Sequence, residues 1–161
     1  MFRLKSRSKL SSSELLTSTL YDERRFYGAF AKDLRQAEYE VIIESPYLTA
    51  KRARQLAPIF KRLKKRGVRV RVNTREPRHH TRNLRIQSIQ AIQILKKVGV
   101  KVYVCSDYRH RKVAIIDSTT LWEGSLNILS QSNSRELMRR TESAALCRQM
   151  LAFTGIKNKF W

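Results

Sequence analysis

Acidic residues are scarce in this chain. Thirteen Asp and Glu stand against 34 Lys and Arg, which leaves a net charge of +21. A surplus of that size repels itself, must be offset by core packing, and points to a polyanionic partner. Nucleic acid fits that partner better than an anionic membrane surface. Long apolar runs are missing too: no stretch reaches the roughly 18 apolar residues of a membrane-spanning helix, so no integral membrane contact is expected. Residues 1–13 are basic and Ser-rich with no apolar segment, so no secretory signal is expected there. They read as a disordered basic arm, with a transit peptide as the alternative. Cysteine is limited to Cys105 and Cys147, too few and too far apart for a zinc site or a redox pair. Cys105 follows the apolar run Val102 to Val104 and reads as a buried free thiol, which suits a reducing, cytoplasmic setting. Internal repeats, low-complexity linkers and breaks in composition are absent. The 161 residues therefore read as an arm over 1–18 and one folded domain over 19–161.

What is present begins with a helix expected from Thr19, a capping residue followed by Asp22 and Glu23. Phe26, Phe30, Leu34 and Ala37 fall on one face of it. Val41, Ile42 and Ile43 make a short strand that ends at Glu44-Ser45-Pro46-Tyr47, since a residue before proline is pushed to extended geometry. Over 51–66, Ala53, Leu56, Ala57, Phe60 and Leu63 form an apolar stripe whose opposite face is nearly all Lys and Arg. Pro58 should kink this helix or start a second segment. Gly67 stops it, and Val68, Val70 and Val72 then alternate with Arg69 and Arg71 as a strand. Residues 75–82 read as an exposed loop. Its adjacent His79 and His80 are poor chelators on one element, so phosphate contact or simple solvation is preferred to a metal site. Ile86, Ile89, Ile92, Leu95 and Val98 mark the next helix, Gly99 ends it, and a strand over 100–104 follows. Strand, helix, strand, helix, strand implies a parallel sheet with crossover helices.

The chain's chemistry concentrates in 110–127, which reads H-x-K-x4-D-x6-G-S-x-N and occurs once. Its fixed residues are His110, Lys112, Asp117, Gly124, Ser125 and Asn127. Six fixed positions, each at a background of roughly one in twenty, make a chance match remote. Val113 to Ile116 is a core strand, so His110 and Lys112, two residues apart, project from the same face while Arg111 points the other way. A neutral histidine can attack phosphorus, and an unperturbed pKa of about 6.5 leaves much of it neutral. Lys112 would balance charge on the non-bridging oxygens. Gly124 permits close backbone approach, and Ser125 and Asn127 add donors beside it. Asp117 belongs to the catalytic set only as structural support, because an anion at the phosphate would repel substrate.

These residues resemble the motif of the phospholipase D superfamily, and every fixed position of that motif is filled. The resemblance covers roughly 26–145. It implies an α/β domain with a mixed, largely parallel sheet flanked by helices on both faces, an αβα sandwich. It also implies a covalent phosphohistidine hydrolysed by water, without metal or other cofactor, and a second histidine that protonates the leaving oxygen. This chain supplies one motif histidine. Small single-motif members of the superfamily pair two identical chains, so a homodimer with His110 facing its symmetry mate is expected. Ser132 to Glu136 resembles the segment whose carboxylate holds the histidine's other ring nitrogen, which makes Glu136 the candidate.

The charge selects nucleic acid, DNA before RNA, with Arg69, Arg71, Arg75, Arg78, Arg82 and Arg111 as candidate phosphate contacts. The expected activity is a metal-independent endonuclease or phosphodiesterase. A non-catalytic DNA-binding module and a phospholipid-hydrolysing enzyme are the alternatives, the latter using an apolar surface such as Phe160-Trp161.

Overall fold

The computed structural model describes residues 17–156. Most of the basic arm and the Phe160-Trp161 pair lie outside that span. Among these residues seven strands are present: β1 (Ser18–Asp22), β2 (Glu40–Glu44), β3 (Arg69–Arg75), β4 (Lys101–Cys105), β5 (Val113–Ile116), β6 (Thr120–Gly124) and β7 (Leu137–Glu142). Helices α1 (Phe26–Gln36), α2 (Ala50–Lys65), α3 (Arg82–Lys97) and α4 (Ala144–Thr154) join them.

The strands form one sheet in the order β1-β7-β6-β5-β2-β3-β4. Only β2–β3 and β3–β4 pair in parallel. The other four junctions are antiparallel. The largely parallel sheet expected from the sequence is thus corrected to a mixed, mostly antiparallel one. The β-α-β-α-β unit does give parallel neighbours. From β5 onward, however, the connection between β5 and β6 is a tight turn, too short for a crossover, so those strands must run antiparallel.

Alternation along each strand divides the core. Val41, Ile43, Val70, Val72, Ala114, Ile116 and Trp122 point to one face, where they pack with α1, α2 and part of α3. Ile42, Val113, Ile115 and Leu121 point to the other, against Cys147 of α4 and Ile156. Helices on both faces are therefore present. Trp122 is fully buried, and its Nε1 donates to Asp33 Oδ2 at 2.8 Å. Arg140 of β7 donates to the same carboxylate from Nε at 2.7 Å and from Nη2 at 3.1 Å. A buried carboxylate on α1 thereby fastens the antiparallel half of the sheet to the helical layer.

Three local expectations are revised. Thr19 lies in β1, not in a helix, and the first helix starts at Phe26. Asp22 still acts at that entrance, since its Oδ1 accepts from Arg25 N at 2.9 Å. The stripe Phe26, Phe30, Leu34 and Ala37 is buried as expected. Helix α2 runs through Pro58 as a single element, so no second segment starts there. Pro58 lies on the exposed side, where water can satisfy the carbonyl that loses its partner. Along α3 the buried residues are Ser88, Ala91 and Leu95, whereas Ile86 is 47% and Ile89 44% exposed. Small side chains let α3 approach, and Ser88 Oγ donates to Leu48 O at 3.3 Å. Ile86 and Ile89 thus turn away from the core, while Leu95 is buried in it and Ile92 and Val98 pack against it.

Candidate active site

The site forms where β2 and β3 end and β5 begins. His110 and Lys112 share the residue parity of Ala114 and Ile116 and so face the side of the sheet that carries α1–α3. Lys112 is only 9% exposed, and His110 is exposed. Lys112 Nζ lies 2.5 Å from His110 Nδ1 and donates to His110 O at 2.7 Å. An ammonium has only protons to offer, so it donates to Nδ1, and a neutral ring then carries its proton on Nε2. Partial burial first, then the charges of Lys112 and Arg75, holds the His110 pKa below the ordinary histidine value. The imidazole is therefore uncharged near neutrality. Burial also lowers the Lys112 pKa, and the charge of Glu136 opposes that shift.

Arg111 points to the opposite face. Its Nε donates to Glu44 Oε1 at 2.6 Å and its Nη2 to Thr154 O at 3.3 Å. Arg109 Nη1 donates to Glu44 Oε2 at 3.1 Å, and its Nε and Nη2 clasp Asp107 at 2.7 and 2.6 Å. Glu44 is closed to solvent. The residues on either side of His110 are thus anchored to one buried carboxylate behind the sheet.

The Gly124-Ser125-Leu126-Asn127 turn reaches the site from β6. A Cβ on Gly124 would sit 2.2 Å from Leu137 O, so only glycine lets β7 come this close. Ser125 Oγ hydrogen-bonds Glu136 Oε2 and accepts from Leu137 N at 3.2 Å. Ser134 Oγ donates to Glu136 Oε1 at 2.8 Å. Glu136 is therefore held by two hydroxyls and acts electrostatically on Lys112, while Nδ1 of His110 is occupied by Lys112. Leu126 and Ile128 are fully buried and pin the turn. Asn127 Oδ1 is buried without a partner.

The Ser45-Pro46-Tyr47 turn locks onto the same loop. Ser45 Oγ accepts from Leu129 N at 3.2 Å, and Thr49 N donates to Leu129 O at 2.9 Å. Tyr47 then meets His110 edge-on with ring centroids 5.6 Å apart.

Asp117 sits at the far end of β5. Its carboxylate accepts from the backbone N–H groups of Glu38, Tyr39 and Glu40 at 2.8, 2.8 and 2.9 Å. The length of β2, at about 3.3 Å per residue, separates it from the histidine. Its role is to cap the entry of β2.

The candidate phosphate contacts divide. Arg75 lies close enough to His110 to affect its proton affinity, and Arg78 and Arg82 continue that loop into α3. Arg78 is clasped by Glu76 at 2.7 and 3.0 Å. Arg69, Arg71 and Arg111 belong to the opposite face. Arg69 pairs with Glu40 at 3.8 Å, and Arg71 is buried, bonded to Asn73 Oδ1 at 3.1 Å, with Tyr103 beneath it. Within β3, Arg69 and Arg71 share the parity of Ile42, and with Arg111 they face away from His110, whereas Arg75, the last residue of the strand, turns its guanidinium to His79 O and Tyr108.

The sequence offered His79 and His80 phosphate contact or simple solvation on an exposed loop, but His80 is buried. The His80 ring lies 5.0 Å from Tyr47, on whose ring His110 also rests, and His79 stacks on Tyr108 at 4.3 Å. Only tertiary structure brings them there. Among the described residues, no three His, Cys, Asp or Glu side chains converge to hold a metal ion. No helix among them is long and apolar enough to cross a membrane. A cleft of about 250 Å³ at the Asp117 end is lined by Asp33, Asp117 and Arg140, all engaged in the bonds described above.

The family described as cardiolipin synthase, PLD-like domain, matches residues 30–156. No curated protein matches the chain significantly. Among solved structures it is similar to Nuc of Salmonella typhimurium, a phospholipase D family member. That likeness has a TM-score of 0.71 and 20% identity, over 84% of this chain and 90% of the other. NucT of Helicobacter pylori gives a TM-score of 0.67 and 22% identity, over 84% and 91%. TrmBL2, an archaeal chromatin protein with a novel mode of DNA binding, gives 0.57 and 12%, over 90% and 52%.

Proposed function

Because this chain belongs to the phospholipase D-like domain family, we propose that it is a nucleic-acid phosphodiesterase, acting on DNA in preference to RNA, with His110 as nucleophile. The observation that carries the reading is the 2.5 Å contact between the exposed His110 imidazole and the buried Lys112 ammonium. In the first step Nε2 of His110 attacks phosphorus, and the P–O bond to the leaving group breaks. Lys112, with Ser125 and Asn127, neutralises the non-bridging oxygens as charge builds on them. In the second step water attacks the phosphohistidine, the P–N bond breaks, and His110 is regenerated. The cycle requires no metal.

Nε2 can attack only from the tautomer that carries its proton on Nδ1, and Lys112 stabilises the other one. The proton donor's copy must be the imidazolium, protonated on both ring nitrogens, so Lys112 leaves Nδ1 there as well. The attacking copy needs a carboxylate at Nδ1, and Glu136, already beside Lys112, supplies it when Lys112 turns to the phosphate. Two copies of one site in complementary forms are what a homodimer provides, with the second His110 protonating the leaving oxygen.

Nucleic acid is favoured by the +21 charge and by the Arg75, Arg78 and Arg82 run that leads away from His110. Cleavage of oligonucleotides in EDTA by the wild type, and none by His110→Ala, tests the assignment. A DNA-binding role without cleavage is the second reading, favoured by the likeness to TrmBL2. Tight binding with every strand left intact after long incubation would establish that one.

A further inference from the structure

Three nitrogens beside the catalytic pocket are closed to solvent and have no hydrogen-bond partner: Nε of Arg75, Nδ1 of His79 and Nε2 of His80. Arg75 ends β3, His79 closes the short 3-10 turn Pro77–His79, and His80 follows it. Buried polar groups are ordinarily paired, so three orphans in one place need an explanation. His80 is only 8% exposed.

The charges around His80 deepen the anomaly. Arg75 from β3, His79 from the turn and Arg85 from α3 all act on it, and each lowers its proton affinity, as burial does. The Tyr47 ring lies beside it. The carboxylate of this turn, Glu76, is turned to Arg78. Arg75 and Arg85 are fastened to the turn through its carbonyls, Arg75 Nη2 to His79 O at 3.3 Å and Arg85 Nη2 to Arg78 O at 3.1 Å. The cluster is thus built and held, and its one nearby carboxylate, Glu76, is engaged by Arg78 through both oxygens while also feeling His79. An anion would satisfy the orphan donors and relieve the repulsion together.

We propose that Arg75, His79 and His80 form a second phosphate-binding position, which takes the phosphate next along a polynucleotide from the one His110 attacks. The two positions meet at Tyr47, whose ring lies 5.0 Å from that of His80 and 5.6 Å from that of His110. A phosphatidylcholine brings a single phosphate, whereas a polynucleotide brings a row of them. The second position therefore selects the polymer. This inference rests on the phosphodiesterase reading given above.

The test compares the dinucleotide TpT with pTpT and TpTp, which add one terminal phosphate at either end. For the wild type, kcat/KM rises at least tenfold with one of the two additions. In His80→Gln, and separately in His79→Gln, that gain falls below threefold whatever the rate on TpT. No gain in the wild type, or an undiminished gain in both variants, overturns the proposal. A second measurement needs no turnover: thymidine 3′,5′-bisphosphate, which contains no diester, is titrated against the wild type while the histidine ring resonances are followed. The rings of His79 and His80 shift in its presence, and His80 titrates at higher pH. Unmoved His79 and His80 rings alongside active cleavage overturn the second position alone. Shifted rings without cleavage of any dinucleotide retain it and overturn the phosphodiesterase reading.

Discussion

Glu44 Oε1 accepts from Arg111 Nε at 2.6 Å on the face of the sheet opposite His110. The carboxylate is closed to solvent and holds Arg109 as well, so both neighbours of the histidine hang from it. Removing one partner of a buried ion pair costs about 3–5 kcal/mol, because the remaining charges are left unpaired. Glu44→Ala should lose stability on that scale in urea unfolding. An unchanged midpoint would show that water already serves the two guanidinium groups.

Asp117 is expected to act on the fold and not on the chemistry. It accepts three backbone N–H bonds at a φ of +52°. Asp117→Ala removes charged acceptors worth about 1.5–3 kcal/mol each, non-additively, and places alanine in a left-handed conformation. Loss of activity should track loss of folded protein by circular dichroism. Full stability with abolished turnover would place Asp117 in the catalytic step.

The pH dependence follows from two lowered histidines. His110 must be neutral to attack, and its pKa lies below the usual 6.5 or so, so the acid limb of kcat/KM should lie below that pH. Burial lowers His80 in the folded state. The unfolded chain then binds more protons between the folded and unfolded pKa values. Stability is accordingly full above about pH 6.5 and declines as pH falls through that window. His80→Gln should flatten that decline in thermal melts from pH 7 to 5. A wild type whose melting temperature rises on acidification contradicts the assignment.

Dimerisation is required if the second histidine comes from a second chain. Specific activity should fall on dilution in parallel with dissociation seen by sedimentation. Mixing inactive His110→Ala with inactive Lys112→Ala should not restore full turnover, since one histidine is lost from every mixed pair. A fully active monomer at high dilution removes the shared site.

Much of this arrangement was legible because it depends on strand parity. The H-x-K spacing put His110 and Lys112 on one face and Arg111 on the other, as the structure has them. The parallel half was legible because apolar periods of two and 3.6 alternate there. The antiparallel half was hidden by charge: Arg139 and Arg140 break the apolar pattern of β7, and only the fold supplies Asp33 to hold Arg140. Thr19, Asp22 and Glu23 carry helix-start chemistry, yet the sequence Ser18–Asp22 pairs with β7 instead. The cluster around His80 required contacts between β3, α3 and the Tyr47 turn, which no local spacing announces.

The covalent intermediate tests the central claim most directly. Wild-type protein mixed with a labelled oligonucleotide in EDTA and quenched in alkaline denaturant should carry label on a phosphohistidine at residue 110. His110→Ala should carry none and cleave nothing. Cleavage that survives His110→Ala, or that EDTA abolishes, would contradict the account.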